Sequence, residues 1–176
     1  MVIKVKRWNH ADTITPDMMD ELMAIEIACF KPELQETYDS KKELIQDAEI
    51  VLFAYDKDEI IGEAYCIRSY PDGLLDDESE DANHLWDLFE DIGDTNSIYF
   101  MSFAVLPDYR NQSIARLLLD DMISLCKYAG YSSIFTHAKM GASAHLFEKA
   151  GGELIEKRSN WFETGENYSL FCIPLE

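Results

Sequence analysis

The stretch that decides the predicted fold covers residues 98–130 and reads IYFMSFAVLPDYRNQSIARLLLDDMISLCKYAG. It opens with a nearly continuous apolar run that Pro107 ends, which is typical of a strand covered on both faces of a sheet. Apolar residues then recur at helical spacing over residues 114–129, and Gly130 is placed to cap that helix. Because residues 132–138 form a further β-rich run, the stretch predicts a right-handed strand–helix–strand unit.

The segments on either side of this unit predict the rest of an α+β fold, a mixed sheet flanked by helices. A short first strand precedes a helix that Thr15 and Pro16 open, and a capping box at Ser40 opens a second, short helix. β-rich runs and turn residues predict a first antiparallel hairpin at residues 50–68 and a second at residues 154–173. Between them, residues 142–150 predict one more helix.

Length and composition predict one folded domain over residues 1–176. Of these 176 residues, 47% are hydrophobic and 28% are charged, as in ordinary globular proteins. The apolar runs are much shorter than the ~20 residues that cross a bilayer, and no basic and apolar leader opens the sequence, so we expect a cytoplasmic protein without a membrane partner. The cysteines are far apart and form no Cys/His cluster, which predicts reduced thiols and no metal site.

The charge of the chain is strongly negative and unevenly distributed. The net charge is −19, which argues against a nucleic-acid or anionic-membrane partner and favours a cationic one. Residues 1–96 carry 25 acids and 8 bases, a net charge of −17, whereas residues 97–176 carry 9 acids and 7 bases, a net charge of −2. We therefore expect any cationic molecule to meet the first part of the chain.

An acidic segment lies between the predicted third and fourth strands. Residues 72–94 contain ten acids and no Lys or Arg. Leu85, Leu88, Phe89 and Ile92 keep helical spacing there, which predicts a docked helix within an acidic insertion. The segment is interpreted either as a solvated loop and helix or as a rim that attracts a cationic substrate.

The loop between the central strand and the long helix has the features of an anion site. A strand that enters a helix through a loop of small residues exposes unpaired backbone N–H groups at the positive end of the helix dipole. Arg110 and Arg116 add two cations in a chain with few of them. The loop therefore predicts a phosphate or diphosphate site.

This loop resembles the signature of the GNAT superfamily of N-acetyltransferases, V-x-P-x-x-R-x-x-G-x-G/A. Val105, Pro107, Arg110 and Ala115 stand at matching positions. The segment from Leu146 to Gly151, which reads LFEKAG, is similar to a later L-Y-E-K-x-G-F segment of the family. The order of predicted elements also resembles that family over nearly the whole chain.

The resemblance implies a splayed sheet that binds acetyl-CoA as co-substrate. In the family, the backbone of the central strand pairs with the pantetheine arm, one N–H polarises the thioester carbonyl, and the following loop holds the pyrophosphate. The residues that would bind the cofactor here are Phe103, Ala104, Val105, Arg110, Asn111, Gln112, Ser113, Ile114, Ala115 and Arg116.

The sequence departs from the family pattern at three positions. Ser113 stands where the family usually has glycine; because serine is small and a good N-cap, we expect weaker or shifted pyrophosphate binding. Phe147 replaces a tyrosine that protonates the departing thiolate, and Met140 replaces an asparagine that touches the cofactor. Structurally, Phe147 is expected in the core.

An amine acceptor must be deprotonated, so the site needs a general base. The family often draws this base from the central strand, at positions that fall here on Tyr99 and Met101. Tyr99 and Glu63, on the neighbouring strand, are the two catalytic candidates; the alternatives are a structural Tyr99 and a solvent-facing Glu63. His137 and His145 are further candidates because imidazole titrates near neutral pH.

These observations predict an N-acetyltransferase that moves an acetyl group to a primary amine of a small cationic molecule, a protein lysine or a protein N-terminus. Two alternatives stay open: a module that binds acyl-CoA without turnover, because of the three departures, and an acidic interaction protein, because of the net charge. The protein is expected to be a monomer or a homodimer.

Overall fold

A computed structural model of the chain describes residues 2–70 and 78–175. In this part of the chain, seven strands and five helices alternate in the predicted order, which confirms the α+β class. Their bounds are β1 Ile3–Arg7, α1 Pro16–Cys29, α2 Tyr38–Asp47, β2 Ile50–Asp56, β3 Glu59–Ile67, α3 Glu80–Asp94, β4 Ser97–Val105, α4 Ile114–Ala129, β5 Ser133–Lys139, α5 Ala142–Lys149, β6 Glu153–Arg158 and β7 Tyr168–Pro174.

The strands form one sheet that opens in its middle. The strand order is β1-β2-β3-β4-β5-β7-β6, and β4 with β5 is the parallel pair among otherwise antiparallel neighbours in the described residues. The pairing of β4 with β5 covers only residues 97–99 of β4, against residues 133–135 of β5. Beyond Tyr99 the two strands separate, and we call the space between them the fork. The splayed sheet that the resemblance implied is thus present.

Helices cover both faces of the sheet, and each face has its own apolar core. Helices α1, α2 and α3 pack on the first face, where β4 contributes Tyr99. Helices α4 and α5 pack on the second face, where Phe100 of β4 and Phe147 of α5 are buried. Because successive side chains of a strand point to opposite faces, β4 joins the two cores. The fork therefore lies between two packed layers.

The starts of the first two helices show how local sequence sets the fold. Thr15 caps α1 by accepting a hydrogen bond from Met18 N at 3.2 Å, as predicted. The capping box predicted at Ser40 is wrong, because α2 begins at Tyr38 and Thr37 is its cap. The Ser40 hydroxyl instead donates to Thr37 O and to the side chain of Glu36, so it lies inside the first turn.

Helix α3 occupies the segment between β3 and β4. It buries the four residues whose spacing predicted it, Leu85, Leu88, Phe89 and Ile92, together with Ala82. Residues 72–77, the start of the predicted acidic insertion, lie outside the described residues. Among the helices of residues 2–70 and 78–175, none has the length and apolar character needed to cross a membrane.

Candidate active site

The loop from β4 to α4 presents a row of unpaired amides. The backbone N–H of Arg110 still donates to Pro107 O at 3.2 Å, and the first bond of α4 runs from Leu117 N to Ser113 O at 3.0 Å. Between them, the N–H groups of residues 111–116 have no hydrogen-bond acceptor in the described part of the chain. These six amides, which we call the amide cradle, lie at the positive end of the α4 dipole. Unpaired amides at a helix N-terminus are the feature that the predicted anion site requires.

Ser113 shapes the cradle through its backbone conformation. It has φ 62° and ψ 9°, a left-handed conformation that favours glycine, and its side chain makes no capping hydrogen bond. The expectation that Ser113 is a good N-cap is therefore wrong, because a capping side chain requires an extended backbone at that position. The side chain is exposed and bonds to none of the cradle amides, so the cradle is open.

Both arginines near the cradle have protein partners. Arg110 Nε donates to Val105 O at 3.2 Å, so its guanidinium lies beside the end of β4. Arg116 Nε is 2.9 Å from both carboxylate oxygens of Asp120, one turn further along α4. About half of each side chain in this second pair is exposed, so the pair is weak and can open for a stronger anion. Ile114 is buried, so only its amide faces the cradle.

From Met101 onward, the edge of β4 that faces the fork pairs with no other strand among the described residues. Leu106 N donates to Ile61 O at 2.9 Å, so this amide faces β3. Because backbone direction alternates along a strand, the N–H and C=O groups of Phe103 and Val105 face the fork, and those of Ala104 face β3. In agreement, Val105 O accepts from the Cys29 thiol at 3.4 Å rather than from β3. An extended chain can pair with this edge.

Tyr99 and His137 meet at the closed end of the fork. The Tyr99 hydroxyl is 2.9 Å from His137 Nδ1, and the His137 ring stacks on Trp161 with centroids 4.3 Å apart. Burial raises the pKa of Tyr99 above its usual range, so its hydroxyl keeps its proton at neutral pH. Burial, and then the neighbouring His84 and Arg158, lower the pKa of His137 to about 3, so this imidazole is neutral.

His84, which the sequence analysis did not select, joins this pair from α3. Its Nε2 is 3.1 Å from His137 Nε2, and its Nδ1 is 3.8 Å from Glu156 Oε2. Fifty-three residues separate the two histidines in the chain, and no spacing rule relates α3 to a strand on the other side of the fork. Only the packing of α3 over the first face of the sheet brings them together.

Glu63 lies in a buried ionic cluster, not at the surface. Its Oε1 accepts from Lys41 Nζ and from Ser102 Oγ, each at 2.7 Å, and Lys41 Nζ also lies 2.6 Å from Glu26 Oε2. The expected alternative of a solvent-facing Glu63 is wrong, since its side chain is fully buried. Although burial opposes it, the charges of Glu63, Tyr65 and Glu26 raise the pKa of Lys41, which holds the lysine cationic. Burial raises the pKa of Glu26.

Phe147 and Met140, which depart from the family pattern, and His145, a further candidate base, lie in the core or at the surface. Phe147 is buried and makes edge contacts with Phe100 and Phe103, at centroid distances of 5.8 and 5.5 Å, so it belongs to the core, as expected. Met140 is largely exposed and its sulfur accepts from Ser169 Oγ at 2.9 Å. His145 is exposed on α5, 3.8 Å from Glu148, and lies outside the Tyr99–His137 arrangement.

Comparison with known proteins identifies the family. Residues 16–152, which are 137 of the 176 residues, match the acetyltransferase (GNAT) family, and the chain therefore belongs to that family. None of the curated proteins compared with the sequence matches it significantly.

Solved structures of other family members share the fold at low sequence identity. The chain aligns with the ribosomal-protein-S18-alanine N-acetyltransferase from Escherichia coli at a TM-score of 0.68 and 13% identity, over 99% of this chain and 95% of that one. It aligns with a structure of the NatC complex bound to Gag peptide and CoA at a TM-score of 0.74 and 16% identity, over all of both chains. An aminoglycoside 6'-N-acetyltransferase complexed with coenzyme A aligns at a TM-score of 0.70 and 14% identity, over 100% of this chain and 98% of that one.

Proposed function

We propose that residues 1–176 form one domain that transfers the acetyl group of acetyl-CoA to a primary amine by direct attack. The amide cradle carries this proposal, because six unpaired N–H groups at the positive end of a helix dipole can donate to the oxygens of a diphosphate. The cradle leads directly into the free edge of β4. Membership of the acetyltransferase family gives the reaction class.

The cofactor fits this arrangement from the cradle inward. The pyrophosphate binds the amides of residues 111–116, and Arg116 turns from Asp120 to the phosphates. The pantetheine arm extends along this edge of β4 and pairs with Phe103 and with the N–H of Val105, since Val105 O already accepts from Cys29 and Arg110. At 3.2–3.4 Å per residue, the strand between Val105 and Tyr99 spans about 20 Å, so an extended arm places its thioester towards the closed end of the fork.

Tyr99, acting with His137, supplies the base. A phenol is a poor base by itself, but its hydroxyl can take a proton from the acceptor while it passes its own proton to His137 Nδ1, 2.9 Å away. Glu63, the second candidate, is held by Lys41 and Ser102 and has only Oε2 without a partner. Its proposed role is therefore to fix Ser102 and the central strand, with direct base action as the alternative.

The thiolate leaves without a tyrosine beside it. Phe147 has no proton to give, yet a thiol with a pKa of about 8.5 is a tolerable leaving group without an acid. We expect turnover to be slower than with a general acid, whose help is typically worth ~10²–10⁴ in rate.

The acceptor in this proposal is cationic. Helix α3 carries six acids and no Lys or Arg, and it packs on the face of the sheet that holds Tyr99 and His137. A negative surface beside the site raises the local concentration of an amine that arrives as ammonium. A polyamine, an aminoglycoside, a lysine side chain and a protein N-terminus all have this chemistry.

Two measurements test the proposal. Acetyl-CoA at ~100 times its Kd stabilises a protein by about 2.7 kcal/mol, which for this chain length raises Tm by about 5–10 °C. Thiol release is then measured against polyamines, aminoglycosides, lysine peptides and peptides with free N-termini. A flat thermal response of folded protein would reject acetyl-CoA binding. Tyr99→Phe should abolish most turnover while it leaves the thermal shift unchanged.

The second candidate function is an acyl-CoA-binding module without turnover. The buried, hydroxyl-free Phe147 favours it, since the site then holds no acid for the thiolate. A normal thermal shift together with thiol release at the rate without protein, over the whole amine panel, would support the module and exclude the enzyme.

A further inference from the structure

We propose that His84 completes a proton path from Tyr99 through His137 to Glu156, along which the proton of the acceptor amine leaves the closed end of the fork for solvent. This inference rests on the proposed transferase function and adds to it a residue from α3. His84 acts through His137, so it is a positioning residue and does not touch the substrate.

The proposed path assigns one proton position to each ring. The Tyr99 hydroxyl, 2.9 Å from His137 Nδ1, is assigned as the donor in this contact, which places the His137 proton on Nε2. This Nε2–H is assigned as the donor across 3.1 Å to His84 Nε2, which places the His84 proton on Nδ1. Nδ1 lies 3.8 Å from the carboxylate of Glu156. Each donor in the chain therefore points away from the fork and towards Glu156.

The inner part of this path is more buried than its outer end, which reaches solvent. His137 is stacked on the buried indole of Trp161. The His84 side chain is 19% exposed and that of Glu156 is 43% exposed, so exposure rises along the path. A proton that enters at Tyr99 thus has a hydrogen-bonded route as far as His84, and the carboxylate of Glu156 lies 3.8 Å beyond it.

An ion-pair network holds the outer end in place. Arg158 Nη1 bonds Glu156 at 2.9 Å, and Arg158 Nε bonds Asp81 at 2.9 Å. Asp81 also accepts from the backbone N–H of Phe162, next to Trp161. The network ties α3 to β6 and to the stacked indole, so the rings of His84 and His137 are fixed from both sides.

The charges around His84 come from three elements. Glu156 and Arg158 face it from β6, Asp81 and Asp87 from α3, and His137 from β5. Burial, and then Arg158, lower the pKa of His84 below its usual value in spite of the three carboxylates. With a pKa of about 3, His137 does not retain a proton at neutral pH, so a proton that reaches it needs a further acceptor. A neutral His84 imidazole can be that acceptor, because one of its nitrogens takes up a proton while the other releases one.

The proton shift balances atom by atom. The ammonium of the acceptor gives one proton to Tyr99 Oη, which gives its own to His137 Nδ1. His137 gives its Nε2 proton to His84 Nε2, and His84 gives its Nδ1 proton to Glu156 or a water beside it. The amine keeps its electron pair for attack on the thioester carbon, and the C–S bond breaks to leave thiolate. The nitrogen loses its second proton to the departing thiolate as the C–S bond breaks, so the products are one amide, one thiol and the proton released at Glu156. Proton exchange with water after product release returns both imidazoles to their starting tautomers.

The tautomers give a test that does not depend on activity. Two-bond ¹⁵N–¹H correlation spectra of the whole protein at pH 7 should show His137 protonated on Nε2 and His84 protonated on Nδ1. A neutral His137 with its proton on Nδ1 would overturn the path, because Tyr99 could then not donate to it.

The kinetic test uses His84→Gln, whose side-chain amide can still accept from His137 but cannot relay a proton. In the thiol-release assay we expect kcat to fall about tenfold or more while KM for acetyl-CoA stays within twofold. His84→Ala should regain rate when imidazole is added, which a merely structural histidine would not show. His145→Gln, on exposed α5, is the matched control and should keep the wild-type rate.

Failure of the path and failure of the proposed function give different results. If wild type turns over and His84→Gln keeps its kcat, or if folded His84→Ala is not rescued by imidazole, the path is wrong and the transferase stands. If wild type releases no thiol with any amine, both are wrong.

Discussion

Acidification should destabilise this protein through His137, because the folded state holds that imidazole neutral. Burial, and then His84 and Arg158, lower its pKa to about 3. In the unfolded chain a histidine has a pKa of about 6.5. Between these two values only the unfolded state takes up the proton. The stability that the folded protein gains by keeping His137 neutral is therefore fully present above pH 6.5 and is lost as the pH falls towards 3.

The size of the effect follows from the two pKa values. Each pH unit of separation is worth about 1.4 kcal/mol, so the loss between pH 7 and pH 5 is about 2 kcal/mol. With a urea m-value of about 2 kcal/mol/M, this loss lowers the unfolding midpoint by about 1 M. Carboxylates titrate over the same range, so the prediction concerns a difference between variants, not the wild-type slope alone.

The assay is urea unfolding at pH 7 and pH 5 for wild type, His137→Gln and His145→Gln. His137→Gln should lose about 2 kcal/mol less than wild type on acidification, whatever its stability at pH 7. The groups that face His137, namely His84, Arg158 and Tyr99, are present in all three proteins. His145→Gln, whose side chain is 63% exposed, should behave like wild type. Equal acid sensitivity of wild type and His137→Gln would refute the reasoning.

Three further predictions concern charge and backbone conformation. Lys41→Met leaves two buried carboxylates without their cation and should cost about 3–5 kcal/mol in urea unfolding; a loss below about 1 kcal/mol, similar to that of exposed Lys31→Met, would contradict the buried cluster. Asp120→Asn releases Arg116 for the phosphates and should tighten CoA binding by about two- to fivefold in calorimetry; unchanged affinity would remove Arg116 from the proposed site. Ser113→Gly removes about 1–2 kcal/mol of strain from the left-handed backbone, but it costs about 0.4–1 kcal/mol because glycine adds entropy to the unfolded chain. Tm should therefore rise by about 2–4 °C, and a lower Tm would contradict the left-handed conformation of Ser113.

The order of elements could be predicted from the sequence because it depends on local patterns. The long helix ends at Gly130 as its spacing and its glycine predict, and Thr15 with Pro16 opens α1. The start of α2 was predicted less well, since Thr37 and Ser40 both carry a hydroxyl near the same turn and only the backbone shows which one caps. The splay of the sheet was implied by family resemblance alone, because pairing between distant strands leaves no local signal.

In the candidate site too, local features could be predicted from the sequence, whereas contacts between distant elements could not. The cradle is a property of one short loop, so its sequence predicts it. Lys41 was missed because a lysine in an amphipathic helix normally faces solvent, and its burial depends on carboxylates from α1 and β3. His84 was missed because its partner is on another element, across the fork. Tyr99 and Glu63 stay predictions as catalytic residues, and their surroundings favour Tyr99 as the base.

The most direct test of the account is a titration of ¹⁵N-labelled protein with CoA, followed by amide resonances. We predict that the largest shifts fall on residues 111–116, because their N–H groups gain phosphate acceptors where they now have none. Shifts concentrated elsewhere, with these six resonances unmoved at saturation, would contradict a diphosphate site at the start of α4.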